Sequence, residues 1–109
     1  MSSRFEVLWA EAAARDLEEL IDYIARDSER DAQRILDRLR SRAESLSRAP
    51  SRGRFAPELV PYGIRTWREL LIRPYRIVYR ISGNTVVVLA VLDGRRDLQD
   101  VLLERLVRI

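Results

Sequence analysis

Three residue types that carry much of protein chemistry are missing from this 109-residue chain: it has no cysteine, no histidine and no lysine. Without cysteine there is no disulfide, no thiol nucleophile and no thiolate metal site, which fits a reducing compartment. Without histidine, acid–base chemistry near neutrality falls to Asp, Glu or Tyr, a Ser-His-Asp arrangement is impossible, and zinc loses its usual ligands. Without lysine, all twenty basic residues are arginine. Codon bias in a GC-rich genome explains that replacement simply, yet the consequence is the same: every cation is a permanently charged planar fork suited to phosphate or carboxylate. Phosphate loops of the G-x-G-x-x-G or G-K-[ST] type are absent as well. The longest uninterrupted apolar run, Val86–Leu92, is strand length, and MSSRFEVLW lacks the basic-then-apolar order of a signal peptide. The expectation is one cytoplasmic domain over residues 1–109, with no membrane span, no metal and no cofactor.

The charge that is present is unevenly placed. Residues 1–49 hold nine Arg against eleven acids, and residues 97–109 two against three. Residues 50–96 hold nine Arg against three acids, Glu58, Glu69 and Asp93. The positive field therefore belongs to the middle of the chain and calls for an anionic partner there.

FEVLW (5–9) alternates as a short strand. Ala13, Leu17, Leu20, Ile21 and Ile24 then recur at helical spacing, and Ser28 restarts a helix whose stripe is Ala32, Ile35, Leu36, Leu39, Ala43 and Leu46. Pro50 closes it, giving an antiparallel helical hairpin. Residues 50–63 contain three of the four prolines and read as a long loop, functional or mobile. Three strands follow at about 64–73, 74–81 and 85–92, the last two joined by Gly83-Asn84. TVVVLAVL is apolar at both parities and so should be central and covered on both faces. Asp97 can cap a last helix with Leu98, Val101, Leu102 and Leu106 inward, leaving Leu103, Val107 and Ile109 as surplus apolar surface. The order β-α-α-β-β-β-α predicts an α+β domain: a small antiparallel sheet, a helical hairpin on one face, and a C-terminal helix. Asp93, Asp97 and Asp100 cluster in sequence but read as a turn and a helix start, not as a metal site.

In YRIVYRI (75–81), Tyr75, Ile77, Tyr79 and Ile81 share one face and Arg76, Val78 and Arg80 the other. The same alternation places Arg65, Trp67, Glu69 and Arg73 beside Arg76 and Arg80. With Arg95 and Arg96 these make a candidate anion- or target-binding surface: Arg65, Trp67, Arg73, Arg76, Arg80, Arg95 and Arg96. A codon-biased exterior with Trp67 in the core is the competing explanation.

The element order, together with TWRELLIRPYRIVYRI (66–81) and VVVLAVLDGRRDLQDVLLERL (86–106), resembles the RelE/ParE superfamily of type II toxin–antitoxin toxins over nearly the whole chain. The resemblance implies a growth-arresting toxin of a plasmid-stabilisation type of system, held in a hetero-oligomer by a cognate antitoxin. Its RelE branch implies a ribosome-dependent endonuclease that cuts mRNA. Its ParE branch implies binding to DNA gyrase. By that resemblance Arg76 matches the strand arginine on the scissile phosphate and Arg96 the second phosphate arginine, while Glu58 falls near a general base after a one-residue gap. Leu103 and Val107, with Arg76, are the residues expected to meet the antitoxin, whose acidic side chains would face the arginines of residues 65–80.

The departures from the nuclease pattern carry chemical weight. Trp67 and Glu69 stand where RelE-type enzymes have two lysines, and the catalytic C-terminal tyrosine falls near Leu102. Cleavage needs a proton acceptor and a proton donor, and arginine exchanges protons poorly. Glu58 or Glu69 could accept; a donor is lacking. The reading that follows is a toxin that inhibits gyrase by binding, with the ribosome-dependent nuclease (Glu58, Arg76, Arg96) as its alternative. An inactive relative that retains only antitoxin binding is the third possibility.

Overall fold

The computed structural model describes residues 4–94 and 96–107. Its elements are β1 (Glu6–Trp9), α1 (Glu11–Ala25), α2 (Glu29–Glu44), β2 (Arg54–Phe55), β3 (Trp67–Ile72), β4 (Tyr75–Ser82), β5 (Thr85–Asp93) and α3 (Leu98–Val107). The five strands form one sheet in the order β1-β5-β4-β3-β2. Neighbours are antiparallel except β1, which runs parallel to β5 with Val7 opposite Val86. The α+β class and element order match the expectation; the parallel pair and the two-residue β2 are additions to it.

Three helix boundaries have a local cause. Ser28 Oγ accepts from Asp31 N–H at 3.1 Å and caps α2, with Glu29 and Asp31 at the positive end of its dipole. Six residues before Pro50, α2 gives way to a 3-10 turn at Ser45–Ser47, where Ser45 Oγ donates to the Arg42 carbonyl at 2.6 Å and competes with the helical ladder. Asp97 caps α3 by accepting from Gln99 N–H at 2.8 Å.

The sheet buries both faces. Ala13 and Leu17 of α1 and Leu39 and Ala43 of α2 pack with Leu70, Ile72, Ile77, Tyr79, Val86 and Val88. On the opposite face Leu98, Val101 and Leu102 of α3 cover Val78, Ala90 and Leu92, joined by Ala56 and Leu59. That second cover is why β5 is apolar at both parities. A register shift at Val78/Tyr79, opposite Ala90 and Val88, leaves Leu89 without a partner on β4. Past Trp9 the outer edge of β5 has no strand beside it among the described residues. Asp16 of α1 accepts there from Val91 N–H at 3.0 Å, and Arg105 of α3 donates to the Leu89 carbonyl and to Asp16, each at 2.6 Å. One ion pair thus satisfies a bare sheet edge and joins helices that lie on opposite faces.

The long loop is ordered by a tyrosine. The Tyr79 hydroxyl donates to the Pro50 carbonyl at 2.7 Å and accepts from Gly53 N–H at 2.8 Å. Gly53 is required at this approach, because a Cβ there would sit 2.6 Å from both the Glu69 carbonyl and the Tyr79 hydroxyl. Pinned so, the chain enters β2 and pairs Arg54 with Glu69 and Phe55 with Arg68. Tyr79→Phe leaves a buried donor and acceptor unpaired and should cost about 1–3 kcal/mol in urea unfolding. An unchanged midpoint would show that the hydroxyl does not hold the loop.

Candidate functional site

Period-two alternation sends Arg76, Val78 and Arg80 of β4 to the α3 side, opposite Leu71, Glu69 and Trp67 of β3. Arg54 of β2 lies opposite Glu69 on the same side. Glu69 is therefore flanked by arginines from both neighbouring strands. Its carboxylate accepts from Arg54 Nε at 2.6 Å and from Arg76 Nε at 2.7 Å, and its side chain is wholly buried. Nη1 and Nη2 donate to the two Glu58 oxygens at 2.7 and 2.9 Å, and Nη2 also lies 2.5 Å from Glu69 Oε1. Arg76 is 8 % exposed. The anions it grips in this structure are the chain's own carboxylates.

The electrostatics follow from that geometry. Burial alone would raise the Glu58 carboxyl, but the Arg76 hydrogen bonds, with backbone N–H groups that include Leu98, hold it below its ordinary value. Burial would likewise lower the Arg76 guanidinium, and its bonds to Glu58 with the charge of Glu69 raise it instead. Arg76 and Glu58 therefore stay charged at neutral pH, and a carboxylate so stabilised is a weak proton acceptor. Tyr79, whose phenol burial pushes up, points to the other face of the sheet.

An open cleft of about 640 Å³ runs beside this network, lined by Arg54, Glu58, Glu69, Arg73, Tyr75 and Arg76. Arg73 stands exposed at its rim, just outside β3. The other sequence candidates are spread further apart. Arg65 is exposed, 6.0 Å from the Phe55 ring centroid, and Arg80 lies 5.9 Å from the ring of Trp67, which itself packs half-buried on the α3-side core. Arg96 is exposed and lines a separate cleft of about 490 Å³ with Trp67, Leu102 and Arg105. Leu103 is 63 % exposed on α3. Arg95 and the side chain of Val107 lie outside the described residues. Among the described residues no group of three or more Asp and Glu could hold a metal ion, and no helix is long and apolar enough to cross a membrane.

Two participants escape sequence reading. Arg54 belongs to the network only because a two-residue strand forms. Arg68 lies 4.1 Å from the Phe55 centroid and donates to the Gly53 carbonyl at 2.9 Å, holding the same strand. A third feature is a groove of about 880 Å³ on the hairpin side, where Trp9, Leu17, Ile21 and Leu36 form an apolar floor edged by Glu18 and Arg40.

Known proteins share this architecture. The family described as "ParE toxin of type II toxin-antitoxin system, parDE" matches residues 7–98. Toxin ParE3 of Caulobacter vibrioides is 40 % identical over 63 residues, spanning 58 % of this chain and 59 % of that protein. Toxin RelE2 of the same organism is 35 % identical over 92 residues, 84 % of this chain and 97 % of that one. Among solved structures, the chromosomal ParDE toxin–antitoxin system of P. aeruginosa superposes with a TM-score of 0.67 at 21 % identity, covering 84 % of this chain and 98 % of its counterpart.

The network makes two predictions. Glu69→Gln removes one member of a buried ion pair and should cost about 3–5 kcal/mol in urea unfolding, because Arg76 loses a buried counter-charge. Stability should also depend on acid. The Glu58 value lies below the reference 4.5 in the folded chain, so its stabilisation is complete above about 4.5 and is lost as pH falls through the lower folded value. The urea midpoint of the native chain should therefore fall with acidification, and Glu58→Gln should flatten part of that slope; parallel profiles would refute the assignment.

Proposed function

The chain belongs to the ParE toxin family of type II toxin–antitoxin systems, and from that premise we propose that it arrests growth by binding DNA gyrase and cuts no nucleic acid. The observation that carries this reading is the state of its carboxylates. Glu58 is held bidentate by Arg76, and Glu69 is buried between Arg54 and Arg76. A nuclease needs a free acceptor for the attacking hydroxyl and a donor for the leaving oxygen. Here both candidate acceptors are already neutralised by arginine, and Tyr79, a potential donor, faces the helical hairpin. Toward solvent fixed positive charge predominates: Arg54, Arg65, Arg73 and Arg96 are exposed and Arg80 is half-buried, with Asp93 a further acid at the cleft. Fixed charge steers and orients a partner and moves no protons.

The relative named RelE2 keeps the ribosome-dependent nuclease as the competing reading. In that reading Arg76 and Arg96 would share a phosphate, yet they line different clefts here. Purified protein should inhibit gyrase supercoiling and leave ribosome-bound mRNA intact. Ribosome-dependent cleavage of mRNA, with supercoiling unaffected, would reverse the assignment.

A cognate antitoxin is the second proposed partner, in keeping with the toxin–antitoxin system among the structural neighbours. Its apolar side chains fit the groove of Trp9, Leu17, Ile21 and Leu36, and exposed Leu103 offers a further apolar contact. Its acidic residues would meet Arg65 and Arg73, with buried Arg76 contributing through the cleft. Complex formation should weaken with added salt, and Arg65→Glu combined with Arg73→Glu should reduce that salt dependence. An identical salt profile for the double variant would remove those arginines from the antitoxin interface.

A further inference from the structure

The segment that follows Glu58 is costly in a way that folding does not explain. Tyr62 is 70 % exposed and Ile64 40 % exposed, one residue apart, and Arg65 beside them is exposed as well. Isolated exposed apolar residues are ordinary, and mobile loop tips often carry them. This turn is different because it is built. Leu59 N–H and Val60 N–H both donate to the Ala56 carbonyl, at 3.1 and 3.3 Å. Tyr62 N–H donates to Leu59, Gly63 N–H to Val60 and Ile64 N–H back to Leu59, at 3.0, 2.9 and 3.2 Å. Gly63 takes φ 73°, where an L side chain is strained, and Pro57 and Pro61 restrict the backbone on either side.

The base of the turn is fastened in three directions. Ala56 and Leu59 are buried in the α3-side core. Glu58 holds the Arg76 fork, and its carbonyl accepts from Gln99 Nε2 of α3 at 3.1 Å. The Arg76–Glu58 pair thereby acquires a purpose apart from any external anion: it positions the turn against the sheet.

We propose that the turn Val60–Arg65 is the contact by which this chain seats in its target, with Tyr62 and Ile64 entering an apolar recess and Arg65 meeting carboxylates at its rim. A rigid aromatic with a neighbouring arginine is the composition of an energetically dominant interface contact, and pre-ordering lowers the entropy lost on binding. The partner is a protein surface, because two apolar side chains have nothing to gain from a phosphate backbone. It is acidic, because residues 50–96 carry nine arginines against three acids, and Glu58, the one acid in this loop, is turned inward to Arg76. The turn also stands on the α3 side of the sheet, whereas the apolar groove proposed for the antitoxin lies on the hairpin side. The inference rests on the reading of this chain as a toxin that acts by binding.

The test uses the full chain carrying Tyr62→Ser and Ile64→Ser, expressed without antitoxin and also purified. Both side chains are exposed, so the thermal melt and antitoxin co-purification should match the native chain. Growth arrest should be lost, and half-inhibition of gyrase supercoiling should need roughly tenfold more protein or beyond. Arg65→Glu, which spares both apolar residues, should weaken inhibition in the same direction and serves as the readout if the double variant melts early. Native potency in these variants overturns the proposal, as does loss of antitoxin binding by the Tyr62→Ser, Ile64→Ser variant, which would give the turn to the antitoxin. If the native chain arrests growth without touching gyrase, the gyrase reading fails, while loss of arrest in the double variant still identifies the contact. If the native chain arrests nothing, both fall.

Discussion

The arginine at position 76 is the constraint on which this side of the molecule is organised. A guanidinium inside a protein has to be surrounded by acceptors, since its desolvation cost is offset only when its donors are satisfied and its charge is balanced. Glu69 supplies one side from β3 and Glu58 the other from the loop. Arg54 then balances the second carboxylate from β2. Two arginines and two carboxylates close the local charge, and in doing so they tie together three strands and the loop. Gln99 extends the connection to α3 through the Glu58 carbonyl. Hydrophobic residues of similar volume could fill such a space with comparable stability. An ion network instead fixes which backbone segments meet, because forks and carboxylates accept few geometries.

The same logic appears at the opposite edge of the sheet. β1 ends at Trp9, before β5 does, and the exposed edge groups of Leu89 and Val91 would otherwise face water or another strand. Asp16 and Arg105, 89 residues apart, take them. An arginine-only chain lacks the small ammonium that elsewhere blunts sheet edges, and the planar fork bridges a carbonyl and a carboxylate at once. Arginine forks thus each bridge two acceptors at both places, Arg76 on interior β4 beside the loop and Arg105 at the edge of β5.

Much of this scaffold is legible in residue spacing. The stripe from Ala32 to Leu46 and the alternation of YRIVYRI each report one-sided burial, and TVVVLAVL reports two-sided burial. Local chemistry also gives the Ser28 and Asp97 caps. What stays hidden is non-local. The direction in which Arg76 points follows from period two, but its partners lie 7 and 18 residues away on a strand and a loop whose approach no local rule specifies. β2 is hidden for the same reason. Two residues carry no periodic signal, and the strand exists because Tyr79, 26 residues from Gly53, pins the chain beside β3. The bulge at Leu89 and the parallel pairing of β1 depend likewise on how the sheet closes.

Relatives similar to this chain carry both names, ParE3 and RelE2, so the shared scaffold does not by itself assign a target. The backbone therefore cannot decide the activity; the side chains at the cleft must. A cutting site requires groups whose proton affinity lies near neutrality, and enzymes produce them by burying carboxylates away from cations or by using histidine. This cleft does the reverse. Glu58 is held by the Arg76 guanidinium, which drives its proton affinity down, and an arginine keeps its proton at physiological pH. A site fixed by paired forks and carboxylates is geometrically stiff. Stiffness suits binding instead, because it holds a short exposed turn in one shape so that a partner meets it already formed.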